Sequence, residues 1–243
     1  MSNNLKAILL SAGYGTRLRP LTLEKPKCLI KINKKPILEI WLDKLSRLGC
    51  KEVLINTHYL SEQVDEFIHN YKSKYMKIIT THEDTLLGTA GTLLKNINFV
   101  EDETLMIHSD NFTTSNLNGL IKKHRAKSKN CLLTMLTFKT SDPKNCGIVE
   151  VDSKGIVKSF HEKVSCPPGN IANGAVYIFD ENFLDWLMMQ KRQLFDFSND
   201  VLPYLAGKIQ TWHTKDFFID IGTPESLKKA RTISKTYQDK EID

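Results

Sequence analysis

The stretch from Leu9 to Leu29 reads LLSAGYGTRLRPLTLEKPKCL, and it decides what fold and chemistry to expect. The apolar run Ala7–Leu10 leads into it and predicts a buried strand. A turn of small residues follows, and then the cations Arg17, Arg19 and Lys27. Small residues let backbone N–H groups approach a polyphosphate closely. The sequence therefore predicts a phosphate-binding loop directly after the first strand.

The composition is that of an ordinary globular protein, with 243 residues, 41% of them apolar and 26% charged. The net charge of +6 suits an anionic small-molecule substrate, and no basic block with interleaved aromatics indicates nucleic acid as a partner. No signal peptide and no membrane-spanning run is recognised. The five dispersed cysteines lack a C-x-x-C pair, which predicts reduced thiols and a cytoplasmic protein.

Apolar periodicity predicts strands that alternate with helices through residue 137. Repeated β-α units require right-handed crossovers and build a parallel sheet with helices on both faces. Beyond that point, a hairpin over 148–160 and a strand over 175–179 predict antiparallel additions. The expected fold is α/β and Rossmann-like, with a mixed but mostly parallel sheet. The predicted strands of the first part are Lys6–Leu10, Val53–Ile55, Lys77–Thr81 and Thr104–His108, and its helices are Lys35–Leu48, Ser61–Tyr71, Thr89–Ile97 and Asn116–Ala126.

The glycines of the opening loop fit neither of two general phosphate motifs. Leu18 stands at the third glycine position of G-x-G-x-x-G, and no G-K-[ST] follows. The longer string S-A-G-x-G-T-R-L-x-P-L-T, followed after three residues by P-K, resembles the signature of the sugar-phosphate nucleotidylyltransferases. The matching residues are Gly13, Gly15, Thr16, Arg17, Pro20, Leu21, Thr22, Pro26 and Lys27.

This resemblance implies roles for the loop. Ala12, Gly13, Gly15, Thr16 and Arg17 would bind the nucleotide. Arg17 would neutralise the β- and γ-phosphates, and Lys27 would bridge the nucleotide and the sugar phosphate. An arginine fork and a compact lysine charge are suited to those tasks.

Two aspartates at strand ends resemble the family's metal ligands. Asp110 follows the strand that ends in His108, and Asp220 belongs to a D-x-G-T-P motif. An aspartate after a strand is about as often a cap or turn residue, but carboxylate oxygens suit Mg²⁺. By resemblance, Asp110 and Asp220 would hold Mg²⁺, whereas His108 is interpreted as a packed residue that is not a ligand.

Later motifs resemble the family's sugar-phosphate site. Glu162 and Lys163 match F-x-E-K, and Asn173 matches N-x-G-x-Y-x-F. By resemblance, Glu162 and Asn173 would bind sugar hydroxyls, and Lys163 would hold the sugar 1-phosphate as a catalytic cation with Arg17 and Lys27. Gly147 matches a glycine near the sugar, although a cysteine replaces the family's preceding tyrosine.

The segment from Glu83 to Gly91 falls where the family reads the base, and it ends in L-G-T-A-G. That string resembles the guanylyltransferases that act on mannose 1-phosphate and its relatives. Gly88 and Thr89 would then lie against the nucleotide. The alternative from the residues alone is a helix-capping turn with Thr89 as the cap.

The resemblance thus implies one glycosyltransferase-A-like nucleotidyltransferase domain over 1–243. Residues 1–137 would bind the nucleotide, 138–230 the sugar phosphate, and 231–243 would form a frayed tail. The chain is expected to stop where a catalytic domain ends.

The implied reaction condenses an NTP, favoured as GTP, with mannose 1-phosphate or a related manno-sugar or heptose 1-phosphate. Its products would be an NDP-sugar, for polysaccharide biosynthesis, and pyrophosphate. Left open are other bases, other phosphorylated sugars or alcohols, a non-catalytic regulatory relative, a glycosyltransferase and a homodimeric state.

Overall fold

A computed structural model describes residues 4–101 and 103–238. The strands are β1 (Leu5–Leu10), β2 (Lys31–Ile32), β3 (Lys35–Pro36), β4 (Glu52–Thr57), β5 (Lys77–His82), β6 (Glu103–His108), β7 (Asn111–Thr113), β8 (Leu133–Lys139), β9 (Gly147–Val151), β10 (Val157–Glu162), β11 (Ile171–Phe179), β12 (Ile209–His213) and β13 (Phe218–Asp220). The helices are α1 (Leu21–Glu24), α2 (Ile37–Arg47), α3 (Ser61–Asn70), α4 (Gly88–Lys95), α5 (Asn118–Arg125), α6 (Glu181–Met188), α7 (Phe197–Asp200) and α8 (Pro224–Gln238).

The chain divides into two units by its internal contacts. The first unit takes in the described residues of 1–8, 87–107 and 115–217, and the second takes in those of 9–86, 108–114 and 218–243. Strands β1 and β6 each begin in the first unit and end in the second. Whether either unit serves one substrate, as the division into 1–137 and 138–230 supposes, stays a prediction.

The first unit is built on antiparallel pairing around β11. Its strand order is β10-β9-β11-β6-β1, and β8 joins β11 to β12. Strand β11 runs antiparallel to β6, β8 and β9, whereas β12 runs parallel to β8. The core contains the fully buried rings of Tyr177, Phe179, Phe183 and Phe197. The ring centroids of Tyr177 and Phe197 lie 4.8 Å apart, which is a favourable aromatic contact.

The second unit carries the predicted β-α-β beginning. Its strand order is β1-β4-β5, and β4 pairs in parallel with β5. Helix α2 buries Trp41, whose indole N–H donates to the carbonyl of Asn111 over 2.8 Å. The helix closes at Gly49, whose φ of 77° lies in the left-handed region that favours glycine.

The predicted α/β fold with a mixed sheet is confirmed, and each of the eight predicted elements of the first part is present within a few residues. Helix α3 begins at Ser61, and Leu60 occupies its cap position with a φ of 51°.

The predicted frayed tail begins too early. Helix α8 continues through residues 231–238, and the remaining residues 239–243 lie outside the described part of the chain. Ala230 and Ser234 are buried on this helix, which explains why it extends beyond residue 230. Among residues 4–101 and 103–238, no helix combines the length and the apolar character needed to cross a bilayer.

A buried histidine in the first unit should make the protein acid-sensitive. His124 is 2% exposed, and its Nδ1 lies 3.0 Å from Thr134 Oγ1. Burial, reinforced by the charge of Lys127 and opposed by that of Asp180, lowers the pKa of His124 to about 4 from its ordinary 6.5. The unfolded chain therefore binds a proton below pH 6.5 that the folded chain refuses until about pH 4, so stability falls as the pH drops through this window.

We expect His124→Asn to reduce this acid sensitivity. The wild type should lose on the order of 2 to 3 kcal/mol more unfolding free energy than the variant between pH 7 and pH 4.5. Urea unfolding at the two pH values measures the difference. His69→Asn, at an exposed histidine of α3, is the control and should keep the wild-type pH dependence. An equal loss in wild type and His124→Asn would contradict the assignment.

Candidate active site

The loop after β1 is shaped by one glycine. Gly15 has a φ of 62°, and a Cβ added there would lie 2.9 Å from Thr22 Cγ2 and 3.1 Å from Lys27 Cβ. The hydroxyl of the buried Thr22 donates to the carbonyl of Gly15 over 2.7 Å. These contacts explain why Gly15, Thr22 and Lys27 occur together in the motif, because the loop packs directly on the two later residues.

Four of the predicted site residues meet in the second unit. The ammonium of Lys27 binds Asp110 Oδ2 and lies 3.3 Å from Asp220 Oδ1. Arg17 Nη2 lies 3.4 Å from Asp220 Oδ2. The side chain of Lys27 is 11% exposed and that of Arg17 is 65% exposed. The cluster therefore has one cation held inside it and one that solvent reaches.

A short antiparallel ladder brings the two aspartates together. Asp110 lies between β6 and β7, and Asp220 ends β13, which pairs with β7 so that Asp220 stands opposite Asn111. The N–H of Ile221 donates to the carbonyl of Asp110 over 3.0 Å. A Cβ on Gly222 of the D-x-G-T-P motif would lie 2.7 Å from Nη2 of Arg17, which is the flexible end of an exposed side chain.

Lys27 controls the charge states of this cluster. Burial opposes ionisation of Asp110, but the charges of Lys27 and His108 and the hydrogen bond from Lys27 together outweigh burial and hold the pKa of Asp110 below its usual value. Burial and the charge of Asp110 raise the pKa of Asp220, against the opposing effect of Lys27 and Arg17. Burial acts to lower the pKa of Lys27, yet the two carboxylates raise it overall, so the ammonium stays charged.

The two carboxylates fit the chemistry of a hard divalent cation. Both reach one ammonium, and the charge of Asp110 disfavours ionisation of Asp220, a repulsion that a bound cation would relieve. Within residues 4–101 and 103–238, no group of three or more His, Cys, Asp or Glu side chains is placed to hold a metal. Two carboxylates are a sufficient protein contribution for Mg²⁺, which commonly completes its shell with water and substrate phosphates.

A second group of predicted residues meets in the first unit. Gly147 stands opposite Glu162 in the β9–β10 hairpin, and a Cβ on Gly147 would lie 2.6 Å from Glu162 Oε2. Lys163 follows with a φ of 46°, its N–H donating to the carbonyl of Cys146 over 3.2 Å. Its ammonium lies 3.1 Å from Glu162 Oε1. The carboxylate of Glu162 is therefore held between a glycine and a lysine.

Asn173 lies on β11, where an irregularity in the pairing with β8 separates it from Tyr177. Its Nδ2 donates to the hydroxyl of Tyr177 over 2.7 Å, and its Oδ1 accepts from the N–H of Ala175 over 2.9 Å. Ala175 has a φ of 48°, which is uncommon for a residue with a Cβ. Both ends of the Asn173 amide are thus fixed by neighbours on the same strand.

Gly88 and Thr89 lie at the start of α4, also in the first unit. Gly88 has a φ of 72°, and a Cβ there would lie 2.3 Å from the carbonyl oxygen of Phe195. Thr89 does not cap the helix, because Leu87 holds the cap position. The hydroxyl of Thr89 instead accepts from the N–H of Phe197 over 2.6 Å. The helix start is therefore packed against residues 195–197, and its role in nucleotide binding stays a prediction.

Comparison with known proteins shows the family of the chain. Residues 6–236 match the sequence model of the Nucleotidyl transferase family. The chain belongs to this family. The match includes the loop at Gly13 and the aspartate at 220.

Relatives in the family carry specific names. The D-glycero-alpha-D-manno-heptose 1-phosphate guanylyltransferase of Campylobacter jejuni is 33% identical over 224 residues, which make up 91% of this chain and 96% of that protein. The mannose-1-phosphate guanylyltransferase catalytic subunit beta of Drosophila pseudoobscura is 32% identical over 234 residues, or 93% of this chain and 62% of that protein. The nucleotidyl transferase chain described here thus spans 62% of the length of that mannose-1-phosphate relative.

Solved structures share the fold. HddC from Yersinia pseudotuberculosis complexed with GMP-PN has a TM-score of 0.77 at 25% identity, covering 93% of this chain and 98% of that one. A structure described as a glucose-1-phosphate thymidylyltransferase from Bacillus anthracis has a TM-score of 0.85 at 20% identity, covering 94% of each chain. The second likeness shows the fold alone.

Sequence reasoning missed two polar residues beside the phosphate loop of this nucleotidyl transferase. Asn56 Oδ1 accepts from the N–H of Ser11 over 2.6 Å, and Asn56 Nδ2 donates to Glu83 Oε1 over 2.9 Å. Asn56 lies near the carboxyl end of β4, and Glu83 directly follows β5. The rule that ligand sites lie at strand carboxyl ends could have found both.

The packing of the loop gives a matched pair of glycine variants. Gly15→Ala should lower the unfolding free energy by roughly 1 to 3 kcal/mol, because alanine is strained at a φ of 62° and its Cβ meets Thr22. Gly13→Ala should change it by less than about 0.5 kcal/mol, since nothing lies within 4 Å of an added Cβ. Urea unfolding of both variants measures this, and equal losses would contradict the loop geometry.

Proposed function

We propose that this nucleotidyl transferase condenses an NTP with a sugar 1-phosphate and releases pyrophosphate. The observation that carries the proposal is the convergence of Arg17, Lys27, Asp110 and Asp220 in one cluster. These are the residues to which the sequence motifs assign phosphate and metal binding. The names of relatives that are about 30% identical support the same class of reaction.

In this reaction a phosphate oxygen of the sugar 1-phosphate attacks the α-phosphorus of the NTP in line. One P–O bond forms at that phosphorus, and the bond to the β-phosphate oxygen breaks. The nucleophile is already anionic, so no side chain is needed as a general base. Catalysis then depends on positioning and charge neutralisation.

Two side chains of the cluster supply that neutralisation. The exposed guanidinium of Arg17 is accessible to the β- and γ-phosphates and to the departing pyrophosphate. Lys27 keeps its ammonium charged and holds Asp110 and Asp220 in place. Backbone N–H groups from Ala12 to Thr16 would add donors, because the small residues of this loop leave the backbone open to a phosphate.

We assign a Mg²⁺ site to Asp110 and Asp220. When bound, the ion would compensate charge on the phosphate oxygens, which is its usual contribution to phosphoryl transfer. The support is the donor chemistry described above, namely two hard carboxylates that share one buried ammonium.

The sugar phosphate is assigned to the cluster of the first unit. Lys163 is 62% exposed at its side chain and can bind a phosphate, whereas Glu162 is 19% exposed and can accept from sugar hydroxyls. Gly147 leaves the space that the Glu162 carboxylate occupies. Asn173 has a fixed amide with hydrogen-bonding capacity left for a ligand.

GTP is the favoured nucleotide and a manno-sugar 1-phosphate the favoured acceptor, either mannose or heptose. The L-G-T-A-G string and the guanylyltransferase names of two relatives support this choice. The proposal also places the enzyme in the cytoplasm and in polysaccharide biosynthesis. A homodimer would be compatible with this function.

A matrix of four NTPs against mannose, glucose and heptose 1-phosphates tests the proposal. We expect the fastest pyrophosphate release from GTP with a manno-configured sugar phosphate. If CTP, UTP or dTTP leads and GTP ranks last, the base assignment to Gly88 and Thr89 is wrong. If no pair releases pyrophosphate, the protein is not this transferase, and a regulatory nucleotide-sugar binder becomes the better interpretation.

The metal assignment is tested by Asp110→Asn. The variant should lose about a hundredfold or more in kcat, because it removes one of two proposed ligands and one partner of Lys27. Electron paramagnetic resonance of Mn²⁺ titrated into the protein with GTP gives a second readout, and the variant should bind Mn²⁺ more weakly. Asp65→Asn, at an exposed aspartate of α3, is the control. Near-wild-type turnover and Mn²⁺ binding by Asp110→Asn would refute the assignment.

A further inference from the structure

Tyr14 is the residue of the phosphate loop to which the motif gives no role. It stands between Gly13 and Gly15 and is 43% exposed. Its hydroxyl lies 2.9 Å from Nε2 of His58, and the two rings meet edge to face with centroids 5.3 Å apart. The ring of Tyr59 also contacts the ring of Tyr14, with centroids 5.4 Å apart. An exposed tyrosine of the loop is therefore tied to the end of β4.

The other ring nitrogen of His58 fixes the direction of this hydrogen bond. Nδ1 of His58 lies 2.7 Å from the backbone carbonyl oxygen of Glu83. A carbonyl can only accept, so Nδ1 carries the proton and donates. In the neutral ring Nε2 is then the acceptor, and the hydroxyl of Tyr14 donates to it. The Tyr14 hydroxyl thus donates to His58, and His58 donates to the Glu83 carbonyl.

A second set of hydrogen bonds connects Glu83 to the start of the phosphate loop, at Ser11. Asn56 accepts from the N–H of Ser11 over 2.6 Å and donates to Glu83 Oε1 over 2.9 Å. The N–H of Glu83 donates to the carbonyl of Thr57 over 2.9 Å, and Glu83 is 1% exposed. The backbone and side chain of Glu83 are therefore both connected to the phosphate loop, one through Tyr14 and the other through Ser11.

We infer that Tyr14 and His58 form a positioning pair that couples the phosphate loop to the segment beginning at Glu83, and so helps to select the nucleotide. The inference rests on the proposed function, in which the loop holds phosphates and the Glu83 segment leads into the region that reads the base. Glu83 is too buried to contact the nucleotide itself. The Tyr14–His58 pair therefore acts by fixing the position of the segment that begins at Glu83. Its loss should weaken nucleotide binding and leave sugar-phosphate binding unchanged.

Tyr14→Phe removes the hydroxyl and keeps the ring. We expect the Kd for GTP and the KM for GTP to rise about fivefold, the size of effect for one hydrogen bond. The preference for GTP over the other NTPs should narrow by a similar factor, whereas the KM for the sugar 1-phosphate should stay within twofold. Tyr59→Phe is the matched control, because its hydroxyl donates to the carbonyl of Leu23 and has no contact with His58 in the described structure.

A double-variant cycle separates positioning from simple packing. If the hydroxyl acts only through His58, Tyr14→Phe should have no further effect on GTP binding in a His58→Ala background. If the substitutions at Tyr14 and His58 instead raise the Kd for GTP independently, so that their fold-changes multiply, the inference is wrong. A Tyr14→Phe protein that binds all four NTPs as the wild type does, or one that binds them all equally more weakly with a lowered Tm, would also overturn it.

Equilibrium titration with GTP keeps this test apart from the proposed function. Binding needs no turnover, so the Kd values of wild type and variants can be compared even if no sugar phosphate reacts. A wild type that turns over with an unaffected Tyr14→Phe variant refutes the pair alone. A wild type that binds GTP but releases no pyrophosphate refutes the proposed reaction alone.

Discussion

The buried ammonium of Lys27 is the interaction on which the second unit depends. Taking a charge out of water costs several kcal/mol unless partners compensate for it, and here Asp110 and Asp220 do so. Loss of one carboxylate would leave the ammonium with a single partner, and loss of both would leave a buried charge unmatched. The requirement extends to the backbone, because Gly15 lies against the aliphatic part of Lys27 and the β7–β13 ladder holds the two aspartates side by side.

The two cations of the cluster, Arg17 and Lys27, differ in their exposure to solvent. Arg17 contacts only Asp220 at 3.4 Å in this cluster, and most of its side chain is open to solvent. An exposed ion pair of this kind contributes little to stability, so Arg17 loses little by turning to a phosphate. Lys27 is in the opposite position, since its charge is already committed to two carboxylates. The same motif thus contains one cation that is open to solvent and one that is paired inside the cluster.

Much of the fold could be predicted because its signals are local. Strands β1, β4, β5 and β6 are apolar runs, and the helices between them have amphipathic periodicity and punctuation such as Gly49. The ladder of β7 and β13 could not be predicted, because three-residue strands have no measurable period and their partners are far apart in the chain. The same reason hides the link from Ser11 through Asn56 to Glu83. The sequence shows which residue types are present, whereas these contacts arise only when strand ends meet.

Candidate site residues were predictable to the extent that a motif required them. The resemblance named Arg17, Lys27, Asp110 and Asp220, and the structure places them in contact. The residues alone suggested Thr89 as a helix cap, but tertiary contacts outweighed that local preference, because the hydroxyl accepts from the N–H of Phe197 and Leu87 holds the cap position. A hydroxyl has several possible partners of similar strength, so its choice is set by whichever backbone group the fold brings nearest.

Backbone strain occurs at two residues of the first unit beside the proposed sugar-phosphate site. Lys163 and Ala175 adopt left-handed conformations that cost about 1 kcal/mol or more for residues with a Cβ. Each is held there by a specific bond, from the Lys163 N–H to Cys146 and from the Ala175 N–H to Asn173. The backbone conformation of Lys163 directs its side chain so that the ammonium lies beside Glu162. The conformation of Ala175 lets its N–H hold the Asn173 amide. The contacts that compensate for the strain also hold the Lys163 ammonium and the Asn173 amide in fixed orientations without a ligand. Such preorganisation lowers the entropy cost of binding.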